Sequence, residues 1–227
     1  GIMVLAAPVL ASLLMQCGGN VDPTTLQTII SVESDGNPYV VANVTKNTSH
    51  YFKSKNEAVH FVNELAKVGD KYSVGLGQIY VGNFKSYGLT NETAFDFCKN
   101  VTVASKIFEE CYYRAIDSGE YPDEQQALRA AASCYYSNNF TRGFKKEKNG
   151  KSYIDLANNA VNKIYSVPAM KPVGAGDSLT PVNNNLRRGI VYQQPEGDQP
   201  EMVESAVNVE GNKPARAAWD VFNDFAK

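Results

Sequence analysis

Histidine and tryptophan are scarce in this sequence: its 227 residues include two His and one Trp, and no basic residue occurs before Lys46. Two His, without any Cys-x-x-Cys or His-x-x-x-His spacing, offer no structural zinc site, and no Gly-x-x-x-x-Gly-Lys-Ser/Thr loop is present to cradle a phosphate. No metal, nucleotide or other cofactor is therefore expected. Basic excess is missing as well, with 22 Lys+Arg against 24 Asp+Glu, which argues against a nucleic-acid partner. Long apolar runs are absent too. Ile2 to Met15 falls short of the ~20 residues that span a bilayer, so no transmembrane span is expected, and without Lys or Arg ahead of it no export signal is evident. The run reads as a buried first helix. What is present, 43% hydrophobic and 20% charged residues, suits one packed domain plus an extension. Four cysteines at wide spacing, Cys17, Cys98, Cys111 and Cys134, fit either two disulfides in an oxidising compartment or four buried thiols.

From Asp22 to about Ser166 the pattern is of short helices joined by polar turns. Asp22 caps a helix with Pro23 in its first position, and Leu26, Ile29, Ile30 and Glu33 share one face before Ser34-Asp35-Gly36-Asn37-Pro38 stops it. Val40, Val41 and Val44 predict a short strand pair. Ser54 with Glu57 forms a capping box for a helix that Gly69 closes. Asn100 is expected to cap a helix through Val103, Ile107 and Cys111, Pro122 to open another through Tyr135, and a last helix to run from Tyr153 to Tyr165. The fold class expected is mainly α, with a short β-hairpin region. After Ser166, Pro168, Pro172, Gly174, Pro181, the Asn183-Asn184-Asn185 run and Pro195 break all periodicity. The division is thus 1–166 as a domain and 167–227 as a largely disordered Pro/Asn/Gly-rich tail. Ala217 to Phe225, carrying Trp219, Val221, Phe222 and Phe225, is a candidate terminal helix for docking a partner.

The chemistry must come from the helical part. Glu33 closes a helix whose other inward positions are apolar, so its carboxyl is expected at the boundary of core and cleft. Desolvation there favours the neutral form and makes a general acid usable near neutral pH. The plain alternative is a solvated residue at a helix end.

Three spaced segments sharpen this choice: Glu33-Ser34, then Gly75-Leu76-Gly77-Gln78-Ile79, then Ala131-Ala132-Ser133-Cys134-Tyr135-Tyr136-Ser137-Asn138. Together they resemble the lytic transglycosylases of the goose-lysozyme-like superfamily. Cys17, the Asp22-Pro23-Thr24-Thr25-Leu26 segment, Asn37-Pro38, Asn83-Phe84, Ala94-Phe95-Asp96-Phe97-Cys98 and Arg142-Gly143-Phe144 narrow the likeness to the transglycosylases of VirB-type type IV secretion systems, over roughly Gln16 to Ser166.

The resemblance implies an α+β lysozyme-like fold and a periplasmic enzyme that cleaves the bond between N-acetylmuramic acid and N-acetylglucosamine in peptidoglycan, opening the wall for a secretion or conjugation apparatus. It makes Glu33 the sole acid/base: it protonates the glycosidic oxygen, then takes a proton from the sugar's own C6 hydroxyl, giving a 1,6-anhydro end. One carboxyl suffices where ordinary glycosidases need two, because the substrate supplies the nucleophile. Ser34 orients Glu33 or contacts substrate, or else only caps the helix. Gly75 and Gly77 let the backbone line the groove, or form a plain turn. Leu76, Ile79, Tyr136 and Asn138 are expected along the same groove. Gln78 hydrogen-bonds the sugar or its acetamido group, and Tyr135 positions Glu33 or the oxocarbenium-like sugar, unless it is a core aromatic. The likeness also pairs Cys17 with Cys98, which leaves Cys111 with Cys134.

The sequence departs from relatives at Gly77, Tyr80, Tyr136, Asp35 and Asn138. Asp35 sets a second carboxyl beside Glu33, so Asp35 and Asp70 are the candidates for a hydrolase's base at about 6.5–9.5 Å across the scissile bond. Two rival functions follow: a lysozyme-type hydrolase, and a non-catalytic assembly factor that binds glycan strands or secretion-system components through domain and tail. Sequons at Asn43, Asn47, Asn91, Asn100 and Asn139 are read as chance in an Asn/Thr-rich chain.

Overall fold

A computed structural model describes residues 3–160 and 202–204. The apolar start expected as one helix divides in two: strand β1 (Met3–Leu5) and helix α1 (Ala7–Cys17), with Pro8 in the helix's first turn, where its missing N–H leaves no intrahelical bond unmade. Helix α2 (Pro23–Ser34) begins as its sequence dictates. The Asp22 carboxylate accepts from Thr24 N at 2.9 Å, while Leu26, Ile29 and Ile30 enter the core. Asp35 in the left-handed region, at φ 51°, ends it.

Strands β2 (Val40–Asn43) and β3 (Thr48–Tyr51) are the expected hairpin, and helix α3 (Lys55–Lys67) follows, capped by Ser54. The sheet extends further than the expected hairpin, because β4 (Tyr72–Val74) and β5 (Ile79–Tyr80) add to it in the antiparallel order β3-β2-β4-β5, with Val41 opposite Val74 and Ser73 opposite Tyr80. Strands of three and two residues are too short to register as an alternating pattern.

After the short helix α4 (Phe84–Tyr87) come the long α5 (Phe97–Asp117), α6 (Glu124–Ser137) and α7 (Tyr153–Ala160). Helices α5 and α6 pack on each other, α5 burying Phe97, Val101, Ala104 and Phe108 in the core and α6 burying Ala127, Ala130 and Ala131. These small side chains let the two backbones approach. Disulfides Cys17–Cys98 and Cys111–Cys134 bolt α1 to α5 and α5 to α6. In the chain-entropy account, closing loops of this length contributes about 3–5 kcal/mol each.

Two helix starts differ from expectation. Asn100 is not a cap: Asp96 holds that position of α5, and Asn100 lies one turn inside it, buried. Helix α6 starts at Glu124 rather than at Pro122, because the Asp123 side chain accepts from Gln126 N at 2.8 Å and fixes the cap there. In the segment expected to lack order, Met202–Glu204 form a strand, β6, antiparallel to β1 with Val4 opposite Val203. The extension of the last helix to Tyr165 and the terminal helix carrying Trp219, Val221, Phe222 and Phe225 lie outside the described residues. Among the described residues no helix is long and apolar enough to cross a membrane.

Candidate active site

Helix α2 carries Glu33 in its last turn, one turn beyond Ile29 and Ile30, so the packing that buries those residues also draws the carboxyl inward. Glu33 is 3% exposed. Burial pushes its carboxyl from the ordinary 4.5 up to about 8, against the opposing pull of a hydrogen bond from Tyr153. The Tyr153 hydroxyl donates to Glu33 Oε1 at 2.7 Å, and Oε2 has no hydrogen-bond partner among the described residues. At neutral pH Glu33 is therefore a protonated acid with one oxygen uncommitted.

That acid opens onto a cavity of about 360 Å³, whose walls come from both layers of the fold: Ser73, Ile79 and Tyr80 from the sheet, and Tyr135, Tyr136 and Asn138 from the end of α6. Gln78 lies between them, at φ 50°. Its Nε2 donates to Val40 O at 3.1 Å and Gly75 O at 2.9 Å. Since both partners are carbonyls, only the NH₂ end fits there. Oε1 is thereby left as a buried acceptor without a partner among the described residues, at the cavity wall. The amide expected to hydrogen-bond a ligand thus has only its oxygen free to do so.

Other expected site residues divide clearly. Ile79, Tyr135, Tyr136 and Asn138 line the cavity with Gln78; Ser34, Gly75, Leu76 and Gly77 do not. Ser34 serves as a helix-end tie, its hydroxyl donating to Ile30 O at 3.1 Å and accepting from Gly36 N at 3.2 Å. Leu76 is core. The two glycines make room for helix α5 rather than for the groove. A Cβ on Gly75, at φ +76°, would strike the Asn100 amide, and one on Gly77 would come within 2.7 Å of Ala104 Cβ and 2.9 Å of the Tyr135 hydroxyl.

Two residues in this arrangement have roles that the sequence did not reveal. Asn100 is the bolt of the loop between β4 and β5: it accepts from Gly77 N at 2.8 Å and donates to Val74 O at 3.0 Å and Ala94 O at 2.9 Å. Tyr153 is the other. Fully buried and stacked on Tyr136, with ring centroids 4.6 Å apart, it is the tyrosine that reaches Glu33. The Tyr135 hydroxyl instead donates to Gly77 O at 2.6 Å. No local pattern could have found Tyr153, which stands 120 residues from Glu33.

Of the carboxylates weighed as a second catalytic group, neither Asp35 nor Asp70 lines this cavity. Asp70 accepts from Asn43 Nδ2 at 2.9 Å and pairs with Lys46 at 3.7 Å. The carboxylate that does share the cavity wall is Glu110, whose Oε2 accepts from the Tyr87 hydroxyl at 2.9 Å.

A mainly helical molecule with a small antiparallel sheet, and a neutral carboxylic acid in a cleft lined by both, defines an α+β lysozyme-like protein. The chain belongs to the transglycosylase SLT domain family, which it matches over residues 14–156. It is similar to the type IV secretion system protein virB1 of Brucella abortus biovar 1 and of Brucella suis biovar 1, at 42% identity over 143 residues, covering 63% of this chain and 59% of each relative. Similarity to the protein virB1 of Agrobacterium fabrum is 32% over 129 residues, 57% of this chain and 51% of that one. The chain thus spans less than two thirds of the length of these relatives. No solved structure matches it.

Proposed function

We propose that this chain is a peptidoglycan lytic transglycosylase with Glu33 as its single catalytic acid/base. One observation carries the reading: a buried carboxyl held neutral near pH 7, one oxygen fixed by Tyr153 and the other uncommitted at the wall of the cleft. Glu33 gives its proton to the glycosidic oxygen as the bond between that oxygen and C1 of N-acetylmuramic acid breaks. The sugar's C6 hydroxyl then adds to C1, and the Glu33 carboxylate takes the hydroxyl proton. The product is a 1,6-anhydro end, no water is consumed, and Glu33 returns to its starting state. Gln78 Oε1 accepts from an acetamido N–H or a sugar hydroxyl, Ile79, Tyr135, Tyr136 and Asn138 shape the groove, and Tyr153 positions the acid.

Membership of the transglycosylase family and the names of the relatives support a role at the cell wall in type IV secretion, and a periplasmic location is part of this reading. Both disulfides fit an oxidising compartment. Residues 1–166 act as the catalytic domain in this reading, and 167–227 as the part that meets secretion-system components.

Mass analysis of muropeptides after digestion tests the assignment. Wild type yields products one water lighter than hydrolysis products, and Glu33→Gln yields none while unfolding at no lower temperature. Reducing ends would mean a hydrolase, binding without products an assembly factor, and full activity of Glu33→Gln would remove the mechanism.

A further inference from the structure

Among the described residues, Arg114 is the one Lys, Arg or His side chain lining the cavity that holds Glu33. Its guanidinium makes three contacts while the residue as a whole stays exposed. Nη1 donates to Asn138 Oδ1 at 3.0 Å and lies 3.6 Å from Cys134 Sγ, and the group sits over the Phe140 ring, 5.6 Å from its centroid. Asn138 is itself fixed as the left-handed cap of α6, at φ 54°, and Cys134 is tied to α5 by its disulfide. Among the described residues no Asp or Glu lies within ion-pair distance of Arg114, although Glu110 stands one helical turn away on the same wall, occupied by Tyr87. Glu110 and Arg114 also border a second, more open depression with Lys106, Tyr113 and Asp117, so Arg114 marks the place where the groove runs out over the surface of α5.

A preorganised guanidinium with most of its five donors unspent matches a carboxylate bidentately, and fixing it in advance removes much of the ordering cost of binding. Where the lactyl carboxyl of muramic acid is tied up in its amide to a stem peptide, the glycosidically linked N-acetylated sugars carry no charge and give Arg114 nothing to pair with. The acidic peptides that murein carries on its muramoyl lactyl groups do. Resting on the function proposed above, we infer that Arg114 is the carboxylate-binding residue for the stem peptide, and that the enzyme distinguishes acidic peptide-bearing strands from neutral ones.

The test measures binding of soluble murein strands, native or with their stem-peptide carboxylates amidated, to the full chain carrying Glu33→Gln, with and without Arg114→Gln. Gln keeps a donor for Asn138 and loses the charge. The Glu33→Gln chain binds native strands about tenfold more tightly than amidated ones, a ratio expected of one charge-assisted pair. Adding Arg114→Gln brings the ratio to about one while leaving affinity for amidated strands unchanged. Arg114→Lys restores part of the preference. Asn138→Gly, which keeps the left-handed cap and releases the guanidinium, retains a smaller share than the parent. Equal binding of both strands by the parent overturns the inference, as does an equal loss on both with Arg114→Gln, the mark of a brace for α6. Binding is read apart from turnover, so anhydro products from wild type without charge preference sink Arg114 alone, whereas preference without products sinks the catalytic assignment.

Discussion

Glu33 is neutral in the folded chain over a pH range where the unfolded chain ionises it, and that difference can be read as stability. Below about pH 4.5 both states hold the proton. Between 4.5 and about 8 the unfolded state binds fewer protons than the folded one, so this group's contribution to stability falls as pH rises, and it levels off above about 8. Glu33→Gln removes the effect. The variant should therefore unfold like wild type at pH 4 but be more stable at pH 7, by about 3 kcal/mol at most, measured by denaturant titration at both values. Equal stability at the two pH values would mean that the carboxyl is solvated and ordinary. Activity carries the same signature, with the alkaline limb of kcat/KM falling above about pH 8. The Tyr153 bond favours the charged form of Glu33, so Tyr153→Phe should move that limb to higher pH and lower kcat about tenfold, where a purely structural loss would lower kcat with the limb unmoved. Glu33 was legible in the sequence because three apolar residues on its own helix face announce where it points. Tyr153 was not, since its role arises only when α7 folds back over α2 and sets the hydroxyl against the acid.

Between elements, one side chain fastens helix to sheet. Asn100 meets three backbone groups from β4, the loop before β5 and the turn ahead of α5, all of them away from water. Asn100→Ala leaves Gly77 N, Val74 O and Ala94 O to find other partners and should cost about 2–4 kcal/mol by denaturant titration, with KM rising because the Gln78 loop loses its anchor. A loss under 0.5 kcal/mol would show the loop to be self-supporting. From sequence this residue reads as a helix cap, since Asn favours that position and nothing local reveals that Asp96 has already taken it. The glycines show the same limit. Gly75 and Gly77 are readable as places where something approaches closely, but whether substrate or a neighbouring helix does so is decided by packing, and it is α5 and Tyr135 that do. Helices α2, α3, α5 and α6 were legible within a few residues of their ends; strands of two or three residues were not.

Across the whole molecule, two disulfides, one long central helix and a sheet of four short strands set a neutral acid at the wall of a cleft. Composition alone left room for a domain and an extension but could not foresee that Met202–Glu204 pair with β1, whose Leu5 N donates to Gly36 O at 2.9 Å, three residues past Glu33. A contact between segments some 200 positions apart has no local signature. The central claim, that the substrate rather than a water or a second carboxylate attacks C1, is tested most directly by digesting murein in heavy-oxygen water and weighing the muropeptides. The account predicts anhydro products without label, and none at all from Glu33→Gln; heavy oxygen at C1 of the new muramic ends in the first products would contradict it.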